Sequence, residues 1–318
     1  MKDLFGRNIS YLRISVTDLC NLRCKYCMPE EGICKTNHKD ILSVEEIVEI
    51  ARVFEGLGIK KIRITGGEPL IRKGIVDIFR GIGKLEGIED LAMTTNGILL
   101  KKHAKDLKSA GLDRVNISLD TLDEKKYSHI TRGGKLKDVM EGIEAAKEVG
   151  LTPIKINTVL VGGFNDDEIE DFVRLTEKEE IDVRFIELMP IGEAIKYESK
   201  HFVSNQIVLE KVPRLTEIER EDISSPAVYY KLPNGRGKVG LINPISCKFC
   251  AYCNRVRLTA QGKLKLCLHS NDEIDLKAAL RRGENIERLI VKAIKQKPES
   301  HRLEEGEYIF KKMYQIGG

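Results

Sequence analysis

Residues 20–27 read CNLRCKYC, so that three thiols follow one another in the spacing C-x3-C-x2-C. Three thiolates can hold three corners of a cubane [4Fe–4S] cluster and leave the fourth iron open to a small molecule. Metal sites with an open position tend to be catalytic, whereas closed sites tend to be structural. A zinc knuckle or structural thiols remain alternatives, although zinc needs a fourth ligand and only Cys34 and His38, beyond the loop, offer one. The spacing favours an iron–sulfur cluster over zinc.

A second motif, GGEP at residues 66–69, follows a predicted strand. Together with the cysteine loop it resembles the radical S-adenosylmethionine (radical SAM) enzymes. The resemblance implies that the open iron binds the amino and carboxylate groups of SAM. It also implies that reductive cleavage of SAM yields a 5′-deoxyadenosyl radical, while the protein supplies position and shielding. The implied ligands of this first cluster are Cys20, Cys24 and Cys27.

The composition is that of a globular protein. Its 318 residues are 42% hydrophobic and 32% charged, which suits one large domain or one domain with an extension. A net charge of +4 is too small to indicate a nucleic-acid partner. No run has the length of a membrane span, and the first residues do not form a signal peptide. Because six of the eight cysteines fall into two tight triplets, we expect metal binding in a reducing cytoplasm, with no nucleic-acid or membrane partner.

Strands and helices alternate over the first part of the chain. The patterns predict strands at 12–16, 61–65, 88–93, 114–119, 152–159 and 183–187, and helices at 44–56, 75–82, 101–110, 136–149 and 166–179. Such units with short turns predict a parallel α/β sheet. Eight units would close a TIM barrel, so six suggest an incomplete TIM-type barrel, with a doubly wound open sheet as the alternative. The radical SAM resemblance implies a (β/α)6 partial barrel.

The alternation ends at about residue 189. The stretch 192–225 is polar and mixed, and the chain beyond it predicts strands at 227–232, 238–242 and 255–259 and helices at 276–281 and 285–295. We therefore predict two domains, the partial barrel at 1–225 and a C-terminal α+β extension at 226–318, which carries a second group of cysteines.

This second group has Cys247, Cys250 and Cys253 in the spacing C-x2-C-x2-C, with Cys267 further on. On spacing alone, a structural zinc site is an equal alternative here. The surrounding sequence, FCAYCNRVRLT at 249–259 with GKL at 262–264, resembles the molybdenum cofactor biosynthesis protein A family, the GTP 3′,8-cyclases. The resemblance implies a second [4Fe–4S] cluster, again with an open iron, on Cys250, Cys253 and Cys267. We expect Cys247 to be a bystander, because as a fourth ligand it would close this cluster to the substrate.

The same resemblance implies the residues that bind SAM, namely Tyr26, Gly67, Ser118 and Met189. Parallel α/β folds bind their ligands at the carboxyl ends of the strands, and most of these residues lie at such ends. Glycine lets the backbone approach a ligand closely. Tyr26 lies between two predicted cluster ligands and must therefore be near the open iron.

GTP is highly anionic, so a site for it requires cations. The positions that the resemblance implies are Arg13, Arg63, Thr94, Lys155, Arg255, Val256 and Arg257. Arginine forks bind phosphate oxygens through paired hydrogen bonds. Arg255 and Arg257 point the same way on a strand, although a solvated basic face is the alternative for them. Arg13 and Arg63 have apolar neighbours, among which a buried cation needs a partner.

The last two residues of the sequence are Gly317 and Gly318. Such a pair is a flexible end by default, and it also resembles the adenylated tail of ubiquitin-like carriers, which are small single domains. In the cyclase family the tail reaches into the active site, which implies a catalytic role for both glycines. The six histidines form no spaced pair, and we expect them to be structural or surface residues.

The resemblance to this family implies a lyase, a radical SAM GTP 3′,8-cyclase. The implied reaction converts GTP to (8S)-3′,8-cyclo-7,8-dihydroguanosine 5′-triphosphate, the first step of molybdenum cofactor biosynthesis. The implied partners are an electron donor for the SAM cluster and a downstream cyclic pyranopterin monophosphate synthase. Two alternatives stay open: another radical SAM enzyme with an auxiliary cluster that modifies a peptide or RNA, and a non-enzymatic electron carrier or zinc-stabilised binding protein.

Overall fold

The computed structural model describes residues 1–33, 37–195, 200–303, 309 and 311–317. Within these ranges, twelve strands form one mixed sheet, and none of the helices is both long and apolar enough to cross a membrane. The strands are β1 Tyr11–Ser15, β2 Lys61–Thr65, β3 Asp90–Thr95, β4 Arg114–Ser118, β5 Ile154–Leu160, β6 Ile181–Glu187, β7 Thr216–Glu217, β8 Ala227–Lys231, β9 Val239–Ile242, β10 Arg255–Leu258, β11 Lys263–Lys265 and β12 Ile274–Asp275. The helices are α1 Val44–Gly56, α2 Ile75–Ile82, α3 Leu100–Ser109, α4 Glu124–Thr131, α5 Leu136–Glu148, α6 Ile169–Lys178, α7 Gln206–Lys211, α8 Leu276–Arg281, α9 Ile286–Ile294 and α10 Met313–Ile316.

Strands β1 to β6 are parallel and lie side by side in the order of the chain. The predicted parallel α/β sheet is therefore confirmed. A doubly wound sheet reverses its strand order at a switch point, and these six strands contain no such reversal. Each of the six predicted strands overlaps the observed one, and their ends differ by at most two residues.

Helix α1 shows why the sequence predicts its start so well. The Ser43 hydroxyl accepts a hydrogen bond from the backbone N–H of Glu46 at 3.2 Å, and the Glu46 carboxylate accepts from the N–H of Ser43 at 2.8 Å. This capping box satisfies two amides that the first helical turn leaves unpaired. Ile47, Ile50 and Phe54 recur at helical spacing and are buried in the core.

The sequence patterns miss three helices, α4, α7 and the four-residue α10. Helix α4 begins after Asp123, whose carboxylate accepts from the backbone N–H of Lys126 at 2.8 Å. Its sequence EKKYSHIT is mostly polar, so its apolar periodicity is too weak to predict a helix. Helix α7 lies in the stretch that reads as polar and mixed. The short strands β7, β11 and β12 are also absent from the prediction, because two or three residues carry no period.

The C-terminal strands extend the sheet at both of its edges. Strand β10 lies parallel to β1, and β9 lies parallel to β6. Strands β11 and β12 continue antiparallel beyond β10, as β8 and β7 do beyond β9. Cys247, Cys250 and Cys253 directly precede β10 and are thereby brought near β1. The domain boundary at residue 225 stays a prediction.

Alternation along β1, β2 and β10 separates the core from a central cavity. On β1, Leu12 and Ile14 are fully buried in the hydrophobic core, whereas Tyr11 and Arg13 line the cavity. The other two strands follow the same rule, with apolar residues at 62, 64, 256 and 258 in the core and basic residues at 61, 63, 255 and 257 along the cavity. The fold thus carries a set of cations into its interior.

Candidate active site

One cavity of about 550 Å³ brings the predicted site together, and residues of all six parallel strands line it. Both predicted sets of cluster ligands contribute to its wall: Cys20, Cys24, Cys27, Cys250, Cys253 and Cys267. Two groups of thiols that are distant in sequence therefore open into a single space. The exposed Cys247 does not line this cavity, and Cys34 lies outside the described residues.

The GGEP motif packs against the segment that leads into the first cysteine loop. The backbone N–H of Gly67 donates to the carbonyl of Thr17 at 2.6 Å, and that of Glu68 donates to the carbonyl of Leu19 at 2.8 Å. A Cβ on Gly67 would lie 2.2 Å from the Leu19 carbonyl oxygen, which is far too close. Glycine is therefore required here for close passage of two backbones, in addition to the predicted contact with SAM.

Glu68 links this motif to the cysteine loop, a role that the sequence analysis does not identify. Its fully buried carboxylate accepts hydrogen bonds from the Thr95 hydroxyl and from the backbone N–H of Asn96, both at 2.7 Å. Burial raises the pKa of Glu68 to about 7, although these hydrogen bonds act to lower it. The Asn96 amide in turn donates to Asn21 Oδ1 at 2.8 Å and to Cys20 Sγ at 3.8 Å. The carboxylate therefore positions the loop through Asn96.

Tyr26 is held by Asp120, a second residue that the sequence analysis misses. The Tyr26 hydroxyl donates to Asp120 Oδ2 at 2.6 Å, and Asp120 Oδ1 accepts from the backbone N–H of Val159 at 2.9 Å. Burial raises the pKa of Asp120 to about 6. Asp120 comes two residues after Ser118 and lines the same cavity, so its place at the end of β4 is the signal that could have found it.

All four residues predicted to bind SAM line the cavity: Tyr26, Gly67, Ser118 and Met189. Gly67, Ser118 and Met189 lie at or just beyond the carboxyl ends of β2, β4 and β6. Their side of the cavity is therefore the one where parallel α/β folds bind ligands. Their individual contacts with SAM stay predictions.

Arg13, Arg63 and Arg257 form a row of guanidinium groups across three adjacent strands. Arg13 on β1 is directly opposite Arg63 on β2 and Arg257 on β10 in the strand register. Burial lowers the pKa of Arg13 and of Arg63 to about 9 and that of Arg257 to about 10. Buried like charges repel one another, so the row is unfavourable unless an anion balances it. The Nε atom of Arg63 is also buried without a hydrogen-bond partner among the described residues. This arrangement fits a polyphosphate.

Lys155 and Thr94 complete the predicted GTP set on the cavity wall. Lys155 Nζ lies 3.3 Å from Asp182 Oδ2, and burial together with the charge of Arg184 lowers the pKa of Lys155 to about 8. The Thr94 hydroxyl is buried and has no hydrogen-bond partner among the residues described. Arg184 and Lys61 also line the cavity and were not predicted, although their alternation with core residues along β6 and β2 is a signal that could have found them.

The run at 255–257 divides between the two faces of β10. Arg255 and Arg257 line the cavity, as their spacing predicts. The Arg255 guanidinium lies over the rings of Tyr11 and Phe249, at 5.5 Å from each ring centre. Val256 has its side chain in the hydrophobic core with 1% exposure and does not line the cavity. Any contact of Val256 with a nucleotide can therefore involve only its main chain.

The C-terminal tail contacts both the first cysteine group and the arginine at 257. The backbone N–H of Tyr314 donates to the Cys27 thiol, and Arg257 Nη1 donates to the carbonyl of Gly317 at 2.5 Å. Gly317 has a φ of +83°, and a Cβ at this position would lie 2.6 Å from Cγ2 of Thr65. Only glycine fits there, which agrees with the predicted approach of the tail to the site. Gly318 lies outside the described residues.

The surroundings of the second cysteine group are cationic and aromatic. Burial raises the pKa of Cys253, but the charges of Lys297, Arg255 and Arg7 outweigh burial and bring this pKa below its ordinary value. The rings of His269 and His301 lie 4.6 Å apart and line the cavity beside these thiols.

Both predicted sets of cluster ligands consist of three thiols, the donors that iron–sulfur clusters use. In the part of the chain that the structure describes, no three His, Cys, Asp or Glu side chains are close enough to hold one metal ion. A structural zinc ion requires four ligands gathered tightly around it. A cubane is instead held at its corners, so its three thiolates lie farther apart.

Two family models match the chain, the radical SAM superfamily over residues 14–176 and molybdenum cofactor synthesis C over residues 181–303. The chain is 62% identical to a GTP 3′,8-cyclase of Peptoclostridium acidaminophilum, over 99% of this chain and 98% of the relative. It is 57% identical to a GTP 3′,8-cyclase of Alkaliphilus oremlandii, over 100% of both chains. Among solved structures, SuiB of Streptococcus suis is similar in fold, with a TM-score of 0.61 and 17% identity over 86% of this chain and 65% of SuiB. The chain therefore belongs to the radical SAM superfamily and, within it, to the GTP 3′,8-cyclase family.

Proposed function

We propose that this chain is a GTP 3′,8-cyclase, a lyase that converts GTP to (8S)-3′,8-cyclo-7,8-dihydroguanosine 5′-triphosphate in the first step of molybdenum cofactor biosynthesis. The observation that carries the proposal is the cavity itself. Both predicted sets of cluster ligands face this one space, and so does the row of Arg13, Arg63 and Arg257. The names of relatives that are 57% and 62% identical over nearly the whole chain support it.

Cys20, Cys24 and Cys27 are assigned to the first [4Fe–4S] cluster, and the four residues at the carboxyl ends of the strands are assigned to SAM. When bound, this cluster and SAM supply a 5′-deoxyadenosyl radical that removes the 3′ hydrogen of GTP. The chain's own part is to position these groups. Glu68 fixes the cysteine loop through Asn96, and Asp120 orients Tyr26.

Cys250, Cys253 and Cys267 are assigned to the second cluster, and the substrate would bind near it. The arginine row, Lys155 and Thr94 hold the phosphates, where buried donors meet anionic oxygens. We further propose that the six parallel strands form an incomplete (β/α)6 barrel, since residues of all six line the cavity. A wall of this kind excludes water from a reactive radical.

The tail is assigned to the same site. Gly317 approaches Thr65 closely, and its carbonyl accepts from Arg257. Gly317 thereby keeps Arg257 oriented beside the substrate, and the catalytic role predicted for Gly318 belongs to the proposal as well. An electron donor for the first cluster, the downstream cyclic pyranopterin monophosphate synthase and a cytoplasmic location belong to the proposal as well, because clustered thiols that bind metal require a reducing compartment.

The proposal is tested by anaerobic incubation of the reconstituted protein with SAM, a strong reductant and GTP that carries deuterium at the 3′ carbon. We expect 5′-deoxyadenosine that contains deuterium, and a nucleotide that is an isomer of GTP with the ribose 3′ carbon bonded to C8. GTP labelled at the 2′ carbon is the matched control and transfers no deuterium. Unlabelled 5′-deoxyadenosine together with unchanged GTP would contradict the proposed reaction.

A further inference from the structure

Two buried cations lie near Cys250, Cys253 and Cys267, and the function proposed above gives them no role. They are Arg7, whose side chain is 5% exposed, and Lys297, which is 3% exposed. Arg7 is fixed by Asp3, with 2.5 Å between Arg7 Nε and Asp3 Oδ2. We refer to Arg7 and Lys297 together as the cationic clamp.

The clamp contacts the main chain beside each of the three predicted ligands. Arg7 Nη1 donates to the carbonyl of Cys250 at 2.9 Å. Lys297 Nζ donates to the carbonyl of Arg255 at 2.9 Å and to that of Leu266 at 2.5 Å. Arg255 follows the second ligand by two residues, and Leu266 directly precedes the third. Two side chains therefore hold three main-chain carbonyls in the two segments that carry the three cysteines.

The two cations are also connected to each other. Arg7 donates to the carbonyl of Pro298 at 2.7 Å and to that of Glu299 at 2.8 Å, which are the residues after Lys297. A movement of either cation would therefore move the other. This gives the second triplet a single support that extends from the first residues of the chain to the segment after α9.

The charge of Lys297 lacks a carboxylate partner. In the described ranges its ammonium forms no ion pair, and its hydrogen bonds go to main-chain carbonyls. Burying an ammonium group is unfavourable unless an opposite charge lies near. A [4Fe–4S] cluster on three thiolates has a net negative charge, and the charge of Lys297 acts on Cys253. The cluster would be the missing counter-ion.

We propose that Arg7 and Lys297 are positioning residues of the second cluster, because they fix the main chain beside its three cysteines. Lys297 also supplies a positive charge that balances the charge of the cluster and raises its reduction potential. A nearby cation stabilises the more negative, reduced form of a cluster. The proposal rests on the proposed function, which assigns a second cluster to Cys250, Cys253 and Cys267.

The test uses the full-length chain with Cys20, Cys24 and Cys27 all changed to Ala, so that only the second cluster is counted. Iron and sulfide are measured after anaerobic reconstitution, and we expect about four of each per chain. Adding Lys297→Met removes the charge at nearly constant length, and we expect most of this iron to be lost. Lys297→Arg should restore it. Lys295→Met makes the same substitution on the exposed surface two residues away and should leave the iron content unchanged.

Two further measurements keep the inference falsifiable if Lys297→Met is unstable. The first is far-ultraviolet circular dichroism, which reports whether a variant is folded. The second uses Arg7→Lys, which keeps the charge but removes the forked hydrogen bonds, and we expect a folded chain that loses part of its iron. If Lys297→Met retains iron, its midpoint potential should fall below that of the parent. Full iron with an unchanged potential would overturn the clamp, as would equal losses in Lys295→Met. A parent variant that binds no iron would instead overturn the second cluster of the proposed function.

Discussion

The two cysteine triplets open into one cavity, yet charges of opposite sign surround them. Asp120 lies near Cys24 and Cys27, and Glu68 lies near Cys20. Burial, reinforced by these neighbours, raises the pKa of Cys20 to about 11 and that of Cys27 to about 12. Lysine and arginine side chains surround Cys253 instead and lower its pKa. Burial raises the pKa of Cys250 as well, so the difference concerns Cys253: the first site disfavours additional negative charge, whereas the cations around Cys253 favour it.

This contrast suits the two proposed roles. A cluster that must donate an electron to SAM needs a low reduction potential, and nearby carboxylates lower that potential. A cluster that helps to bind an anionic nucleotide benefits from cations. The arginine row continues the positive region from the second triplet toward the first, since Arg257 lies only four residues after Cys253. Under the proposed function, this polarity of the cavity is what orients the substrate.

The largest expected effects come from single substitutions that each remove one of the two proposed clusters. Cys24→Ala should remove the first cluster and reduce SAM cleavage to background, because the open iron that binds SAM is lost. Cys253→Ala should leave reductive SAM cleavage measurable but abolish formation of the cyclised nucleotide. Both products are quantified by liquid chromatography with mass detection. Cys247→Ala is the matched control, since this thiol does not line the cavity, and it should retain both activities.

Full SAM cleavage by Cys24→Ala would exclude the assignment of the first triplet. Loss of the cyclised nucleotide in Cys247→Ala, with SAM cleavage retained, would show instead that this thiol completes the second cluster. The comparison of the triplets would then have to be redrawn as one open and one closed site.

The strands of the parallel sheet could be predicted because each carries a strong local signal. Lys61–Thr65 alternates apolar and basic residues, and its predicted ends agree with the structure. Helix α1 is equally well marked by the capping box of Ser43 and Glu46. Helix α4 is not, because its burial depends on the cysteine loop: Arg23 N–H and Lys25 N–H donate to carbonyls in its last turn. That contact exists only in the folded chain.

The residues of the candidate site also differ in how well the sequence predicts them. Its cysteines and arginines could be placed because their spacing and residue types have direct chemical meaning. The role of Glu68 could not, because the motif gives no sign of which amide or hydroxyl its carboxylate will meet, and Asp120 offered only its place at the end of β4. The pairing of β10 with β1 was also beyond sequence patterns, since it joins residues that are 244 positions apart, such as Tyr11 and Arg255. Long-range register is decided by packing of the whole sheet.

A substitution in the arginine row tests whether the positive end of the cavity binds phosphate. Arg63→Ala should weaken GTP binding by about 1.5–3 kcal/mol, which is about 10- to 150-fold, since charged hydrogen bonds are lost. SAM binding should be unchanged. Isothermal titration with each ligand, in the anaerobic holoenzyme, measures both affinities. Arg52→Ala, on the exposed surface of α1, is the control. An equal loss of SAM affinity would contradict a division of the cavity into two ends.

A smaller effect is expected at the tail, which contacts both ends. Gly317→Ala should reduce product formation at least about fivefold, because a non-glycine residue at this φ is strained by at least about 1 kcal/mol and its Cβ meets Thr65. Both clusters should remain, as measured by iron content. Thr65→Ser removes the methyl group that the new Cβ would meet, so the double variant should recover part of the activity. A Gly317→Ala chain with full activity would exclude a fitted tail.

The smallest expected effect concerns protonation at the positive end. Burial and the neighbouring Arg184 lower the pKa of Lys155 to about 8 in the free protein, and a bound phosphate should raise it again. GTP binding is then accompanied by proton uptake, and affinity falls by up to about tenfold per pH unit as the pH rises above about 8. Titration calorimetry in two buffers of different ionisation enthalpy, from about pH 7.5 to about pH 9, measures this uptake. The terminal phosphate of GTP has a pKa of about 6 and is already ionised in this range. Lys155→Met should bind GTP more weakly near pH 7.5 and with a flatter pH dependence. An identical pH dependence in both proteins would show that Lys155 does not contact the phosphates, and the positive end of the cavity would then consist of the arginine row alone.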